Sequence, residues 1–230
     1  MQTTTRRGVP LAVATPEGPV RGGIVVVQEI YGVNEHILAA TSALAAQGYL
    51  AVAPHLYHRV TVEAIGDYQA ARPLVHGLTA ESLRADVGDA LEFLADAGVD
   101  GDRIGILGFS MGGTVALWAA ASLPVAAAVS FYGGGIDKPR WPGVPAGLES
   151  GGQLRAPWLG LYGDKDRSIP VQQVEALRGT FGSSGVAATI VRYPDAGHAF
   201  ASDTRSPKYR AEAAADAWNR ALSWFDAHLR

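Results

Sequence analysis

The chain has 230 residues, 48% of them hydrophobic, and a formal net charge of -3. That length and apolar content suffice to bury a sizeable core in one domain spanning 1–230, while the near-neutral charge offers no basic footprint for nucleic acid. There are no cysteines, which excludes disulfides, thiolate metal sites and a cysteine nucleophile.

In chain order, residues 9–14 and 23–28 read as strands. The second is almost wholly aliphatic (Ile24-Val25-Val26-Val27), as expected for a strand covered on both faces. Asn34 caps a helix running to about residue 47, and Gly48 ends it. Residues 49–53 form another buried strand, stopped by Pro54, and the stretch 55–77 shows no readable period. Thr79, Glu81 and Ser82 open a helix that places Leu83, Val87, Leu91 and Leu94 on one stripe. A strand at 103–109, a helix at 111–122 and a strand at 125–131 follow. The segment 133–155 holds seven glycines and three prolines and reads as a surface excursion, with Trp141 either walling a pocket or lying on the surface. A strand at 158–162, a helix at 171–181, a strand at 188–193 and a terminal helix at 208–229 complete the chain. Repeated strand-then-helix units imply an α/β fold with a mostly parallel sheet and helices on both faces. No apolar run approaches the roughly 20 residues that span a bilayer. Arg6-Arg7 is reminiscent of a twin-arginine export signal, but the apolar stretch behind it is short and Pro16-Glu17-Gly18 interrupts it, so a cytoplasmic protein is expected.

The strand at 103–109 runs into Gly108-Phe109-Ser110-Met111-Gly112 and leaves as a helix. A Gly-x-Ser-x-Gly turn between strand and helix strains the serine backbone and lifts its hydroxyl off the sheet edge, so Ser110 is the candidate nucleophile. Such a serine needs an acid and then a histidine later in the chain, each beyond the carboxyl end of a strand. Asp164 and Asp166 both follow the strand at 158–162, and the spacing alone leaves the choice open. His198, in Pro194-Asp195-Ala196-Gly197-His198, follows the last strand and is the candidate base. His36 and His228 fall on helices, His76 lies in the unread stretch, and His55 and His58 precede the serine.

Six segments together resemble the dienelactone hydrolase family: Gln28-Glu29-Ile30-Tyr31-Gly32-Val33-Asn34, Ala53-Pro54-His55-Leu56-Tyr57, the serine turn, Phe131-Tyr132-Gly133, Asp166-Arg167-Ser168-Ile169-Pro170 and Ala196-Gly197-His198-Ala199-Phe200. The resemblance implies the α/β-hydrolase fold and cofactor-free hydrolysis of a small-molecule ester or lactone, with carboxymethylenebutenolidase as the reference activity. It further implies Asp166 as the acid and Glu29 as an active-site carboxylate. Met111 and Ile30 are implied as the oxyanion-hole N–H donors. The best-studied members of the family use a cysteine nucleophile, whereas this chain has Ser110. The family also holds its substrate carboxylate with arginines, and here Arg72 and Arg205 lie near those places without aligning cleanly. Carboxylate recognition is thus open, with Tyr31, Arg72 and Arg205 as candidate substrate-binding residues. Competing readings are a short-chain carboxylesterase without carboxylate recognition, a peptidase of the same fold, and a non-catalytic binding module. Neither a nucleic acid nor a membrane partner is expected, and the chain is read as a monomer or small homo-oligomer.

Overall fold

The computed structural model describes residues 1–204 and 207–230. Eight strands form one sheet in the order β1-β2-β4-β3-β5-β6-β7-β8. They are β1 (Gln2–Arg6), β2 (Val9–Ala14), β3 (Gly22–Val27), β4 (Tyr49–Pro54), β5 (Ile104–Phe109), β6 (Ala127–Phe131), β7 (Trp158–Gly163) and β8 (Ala188–Tyr193). β1 and β2 form an antiparallel hairpin, β2 pairs antiparallel with β4, and every pairing from β4 through β8 is parallel. The helices are α1 (Glu35–Ala46), α2 (Tyr68–His76), α3 (Ala80–Asp96), α4 (Met111–Ser122), α5 (Gly147–Gly152), α6 (Val171–Arg178) and α7 (Ala211–His228).

The sheet centre follows directly from sequence. Every residue of β3, β5, β6 and β7 is buried, as continuous aliphatic runs covered on both faces require. Two glycines show which helices take which face. A Cβ on Gly23 would strike Leu94 of α3, and one on Gly105 would strike Phe225 of α7. Gly105 pairs with Ile24, the neighbour of Gly23, so these two helices lie on opposite faces. Arg84 of α3 stacks on Trp118 of α4, which puts α4 on the α3 side. One contiguous buried cluster runs from Val9 to Phe225. Among the described residues no helix is long and apolar enough to cross a membrane.

Five elements differ from the sequence reading. β1 is polar, three of its five residues are exposed, and it pairs antiparallel with β2 at the edge of the sheet. The turn that sets it uses Arg7 at φ 45° and Gly8 at φ 91°, the two left-handed residues of a tight hairpin. Arg6 and Arg7 at that turn pair with Asp89, Glu92 and Asp96 of α3. The unread stretch contains α2, capped by Asp67, whose Oδ1 accepts the Ala70 N–H at 2.9 Å; Pro73 within it hides the helical period. The segment 133–155 is a surface excursion only in part, at 137–140 and 142–143. Ile136, Trp141, Val144 and Leu154 are all buried, α5 lies within it, and Trp141 Nε1 donates to the Val75 carbonyl at 2.7 Å, fastening the segment to α2. The predicted helices at 171–181 and 208–229 are also shorter than expected, α6 stopping before Gly179 and α7 starting at Ala211.

Candidate active site

β5 delivers Ser110 at its carboxyl end with φ 53° and ψ -113°, a left-handed conformation that an L-residue holds only under constraint. The constraint is the proximity of three backbones. A Cβ on Gly108 would lie 2.0 Å from the Gly112 carbonyl oxygen, and one on Gly112 would lie 2.3 Å from the Val27 carbonyl oxygen. β5, β3 and the first turn of α4 therefore meet where only glycine fits. Ser110 N–H donates to the Phe131 carbonyl at 2.9 Å, which locks the turn to the neighbouring strand end. Buried hydrogen bonds support it from below: Ser130 Oγ donates to the Gly113 carbonyl at 2.7 Å, and Trp158 Nε1 donates to Ser130 Oγ at 2.8 Å.

Ser110 Oγ lies 2.9 Å from His198 Nε2, and His198 Nδ1 lies 2.6 Å from Asp166 Oδ2. With Nδ1–H donating to the carboxylate, Nε2 is left as the acceptor for the serine hydroxyl. Asp166, in the loop after β7, is 4% exposed. Its second oxygen, Oδ1, accepts from Ser168 N–H at 2.8 Å and from Ser168 Oγ at 2.6 Å. Burial by itself raises the carboxyl pKa, but the bonds and charge of His198 and the bonds from Ser168 outweigh it and hold Asp166 below its ordinary range. Asp164, the competing carboxylate, is taken up by Arg192 at 2.7 and 2.8 Å. A Cβ on Gly163 would strike the Ala196 carbonyl oxygen at 2.4 Å, so the loops carrying Asp166 and His198 are pressed together at their roots. Tyr132, at φ 42°, packs its ring 5.2 Å from the His198 imidazole.

Glu29 is 2% exposed, just beyond the end of β3. Asn34, the residue that caps α1 by accepting the Ile37 N–H, also donates Nδ2 to Glu29 Oε1 at 2.6 Å. Glu29, Ile30, Tyr31, Ser110 and His198 line one cavity of about 280 Å³. Met111 occupies the first position of α4, where backbone N–H groups have no partner inside the helix. Among the described residues, the cations on the cavity wall are Arg140, stacked on Trp141, and Lys208, and Tyr68 also lines it.

Arg72 does not line the cavity. It is exposed on α2, one turn beyond Tyr68, which carries it about 6 Å further along the helix axis. Arg205 lies outside the described residues. Ser168 and Tyr132 fall in segments that carry the family resemblance but had no role assigned from sequence, and Arg140 and Lys208 were not singled out. Only Ser168 had a readable signal, because a serine two residues after an aspartate closes a local side-chain-to-backbone turn. Arg140 lay in a segment expected to stay on the surface.

A family model described as the dienelactone hydrolase family matches residues 9–229. A Yersinia pestis protein provisionally named carboxymethylenebutenolidase is 40% identical over 215 residues, covering 89% of this chain and 78% of its own. An Escherichia coli K12 protein of the same provisional name is 39% identical over 212 residues, covering 88% and 75%. Among solved structures, a provisionally assigned dienelactone hydrolase from Klebsiella pneumoniae superposes with a TM-score of 0.84 at 39% identity, covering 95% of this chain and 92% of the other. Fold, motif order and relatives agree: the chain has the α/β-hydrolase fold and belongs to the dienelactone hydrolase family of hydrolases.

Proposed function

We propose that the protein hydrolyses a small carboxylic ester or lactone through an acyl-enzyme on Ser110. The observation that supports this best is the continuous hydrogen-bonded path Ser110–His198–Asp166, at 2.9 and 2.6 Å, opening on a cavity beyond the carboxyl ends of the strands. His198 takes the hydroxyl proton as Ser110 Oγ attacks the carbonyl carbon. Asp166 fixes the imidazole tautomer and stabilises the imidazolium that forms. The N–H groups of Met111 and Ile30 receive the developing oxyanion; losing one such donor costs about 2.7–4 kcal/mol. His198 then returns the proton to the leaving alcohol, or to the ring-opened end of a lactone. A water, deprotonated in turn by His198, releases the acyl group. Each step uses groups of the chain itself, without metal or organic cofactor.

A serine hydroxyl is far less acidic than a thiol and depends more heavily on a poised base. His198, held by Asp166 at 2.6 Å and facing Ser110 Oγ at 2.9 Å, fits that need. Arg140 and Lys208 line the cavity, which Arg72 does not, and they favour a substrate carrying its own carboxylate. Tyr31 and Tyr68 flank the same opening. The second reading is a short-chain esterase indifferent to substrate charge, favoured by the exposure of both cations. Steady-state kinetics on paired neutral and carboxylated esters separate the two. The acidic-substrate reading expects Arg140→Met to raise KM about tenfold or more for the carboxylated member only. Equal kcat/KM for both members in the wild type contradicts it.

A further inference from the structure

Three backbone or side-chain bonds fasten the segment after β4 to the turn after β3, and none of their donors, Leu56, Tyr57 and Ile65, lines the cavity. Gln28 Oε1 accepts the Leu56 N–H at 3.0 Å, Tyr57 Oη donates to the Ile30 carbonyl at 3.1 Å, and the Ile65 N–H donates to the Tyr31 carbonyl at 2.9 Å. The middle bond comes from a tyrosine that is 4% exposed and does not line the cavity. The same phenol oxygen lies 3.1 Å from Met111 Sδ. One buried hydroxyl thus touches both residues whose N–H groups are proposed to form the oxyanion hole.

The direction of the Ile30 N–H follows from the peptides on either side of it. The Glu29 carbonyl accepts the Gly32 N–H at 3.1 Å across a turn that Gly32 closes at φ 84°. Because the peptide is planar and trans, the Ile30 N–H points opposite to that carbonyl, out of the turn. This bond fixes the peptide before Ile30, and the Tyr57 hydroxyl fixes the peptide after it. With both held, the residue has no soft rotation left with which to turn its N–H away. Burial raises the phenol pKa, so Tyr57 stays a donor throughout the working range of the enzyme. Packing alone needs only a ring here, and phenylalanine supplies one; the hydroxyl is what bridges Ile30 and Met111.

We infer that Tyr57 is a positioning residue of the oxyanion hole, its hydroxyl holding the Ile30 N–H in register with that of Met111. The inference rests on the proposed assignment of those two N–H groups. Its signature is confined to the transition state, since the ground-state carbonyl makes weaker use of the hole.

The test is Tyr57→Phe, assayed on an activated ester beside Ser110→Ala, with inhibition by an aryl trifluoromethyl ketone measured in parallel. The expected result is a kcat about tenfold lower, the factor that one hydrogen bond of ordinary strength supplies, with KM within about twofold of wild type. The inhibition constant of the ketone, whose adduct on Ser110 carries an oxyanion, should rise by the factor that kcat/KM falls. Unchanged kcat, an unchanged ketone constant or a loss confined to KM overturns the inference. An inactive Ser110→Ala alongside a fully active Tyr57→Phe overturns it alone, whereas an active Ser110→Ala overturns the triad reading and this inference with it. If the phenylalanine variant fails to fold, Gln28→Met, which releases the Leu56 N–H and slackens the same grip, is expected to show the same split between kcat and KM. A folded Gln28→Met with wild-type kcat overturns the inference as well.

Discussion

Gly108→Ala places a methyl group where the first turn of α4 already is. The new Cβ would lie 2.0 Å from the Gly112 oxygen, 2.2 Å from the Gly112 carbonyl carbon and 2.8 Å from the Gly113 nitrogen. All three are backbone atoms, so no rotamer change relieves the clash. The turn must move out by about 1 Å to reach the shortest tolerable contact, and overpacking of this kind costs about 1–3 kcal/mol. At about 2–4 °C per kcal/mol for a chain of this length, Tm should fall by several degrees. The moving turn carries the Ser110 hydroxyl and the Met111 N–H, and a 1 Å misplacement of reacting groups costs about 10²-fold. The check is kcat/KM on an activated ester together with calorimetric Tm. A Gly108→Ala enzyme with kcat/KM within about twofold of wild type and an unchanged Tm would refute the claim that this contact shapes the nucleophile turn.

Asp166→Asn keeps the shape of the site but leaves the imidazole free to hold the wrong tautomer, so kcat should fall about 10³–10⁴-fold in steady-state assays. Ser168→Ala removes one of the bonds that hold the Asp166 pKa down. A depressed carboxyl pKa adds stability above its unfolded value, about pH 3.9, that is lost as pH falls through the folded value. Urea unfolding should therefore show a deficit of about 0.5–1.5 kcal/mol at neutral pH that shrinks as pH falls below the unfolded carboxyl value, and a deficit that grows on acidification contradicts the assignment. Gly88 sits inside α3 with nothing within 4 Å of where a Cβ would go. Gly88→Ala should raise stability by about 0.5–1 kcal/mol without changing kcat, read as a Tm increase of a few degrees.

The aliphatic strands β3, β5 and β7 were legible to within one residue at each end, because burial on both faces leaves no room for polar positions. Asn34 and Thr79 announced their helices through the bonds they make, Asn34 to the Ile37 N–H and Thr79 in a reciprocal pair with Ser82. What escaped was structure whose cause lies elsewhere in the chain. β1 exists because β2 offers it an edge, and its Thr-rich sequence carries no apolar period of its own. The glycine- and proline-rich segment after β6 is fastened to the core where Trp141 finds the Val75 carbonyl, 66 residues away. The site divides in the same way. The serine turn and the loop after β8 declare themselves locally, whereas spacing left Asp164 and Asp166 open and only the family resemblance pointed to Asp166; in the structure Arg192 pairs with Asp164. Arg72 was expected at the substrate from the family resemblance, and a helix that the sequence did not reveal carries it one turn past Tyr68, beyond the cavity lining.

The central proposal is that Ser110 itself carries the acyl group. Rapid quenching of the enzyme with a slowly deacylating p-nitrophenyl ester, followed by peptide mass mapping, tests it directly. One acyl group per chain should be found on the peptide containing Ser110, forming with the burst of p-nitrophenol and absent from Ser110→Ala. A burst with the acyl group on another residue, or turnover by Ser110→Ala at the wild-type rate, would contradict it.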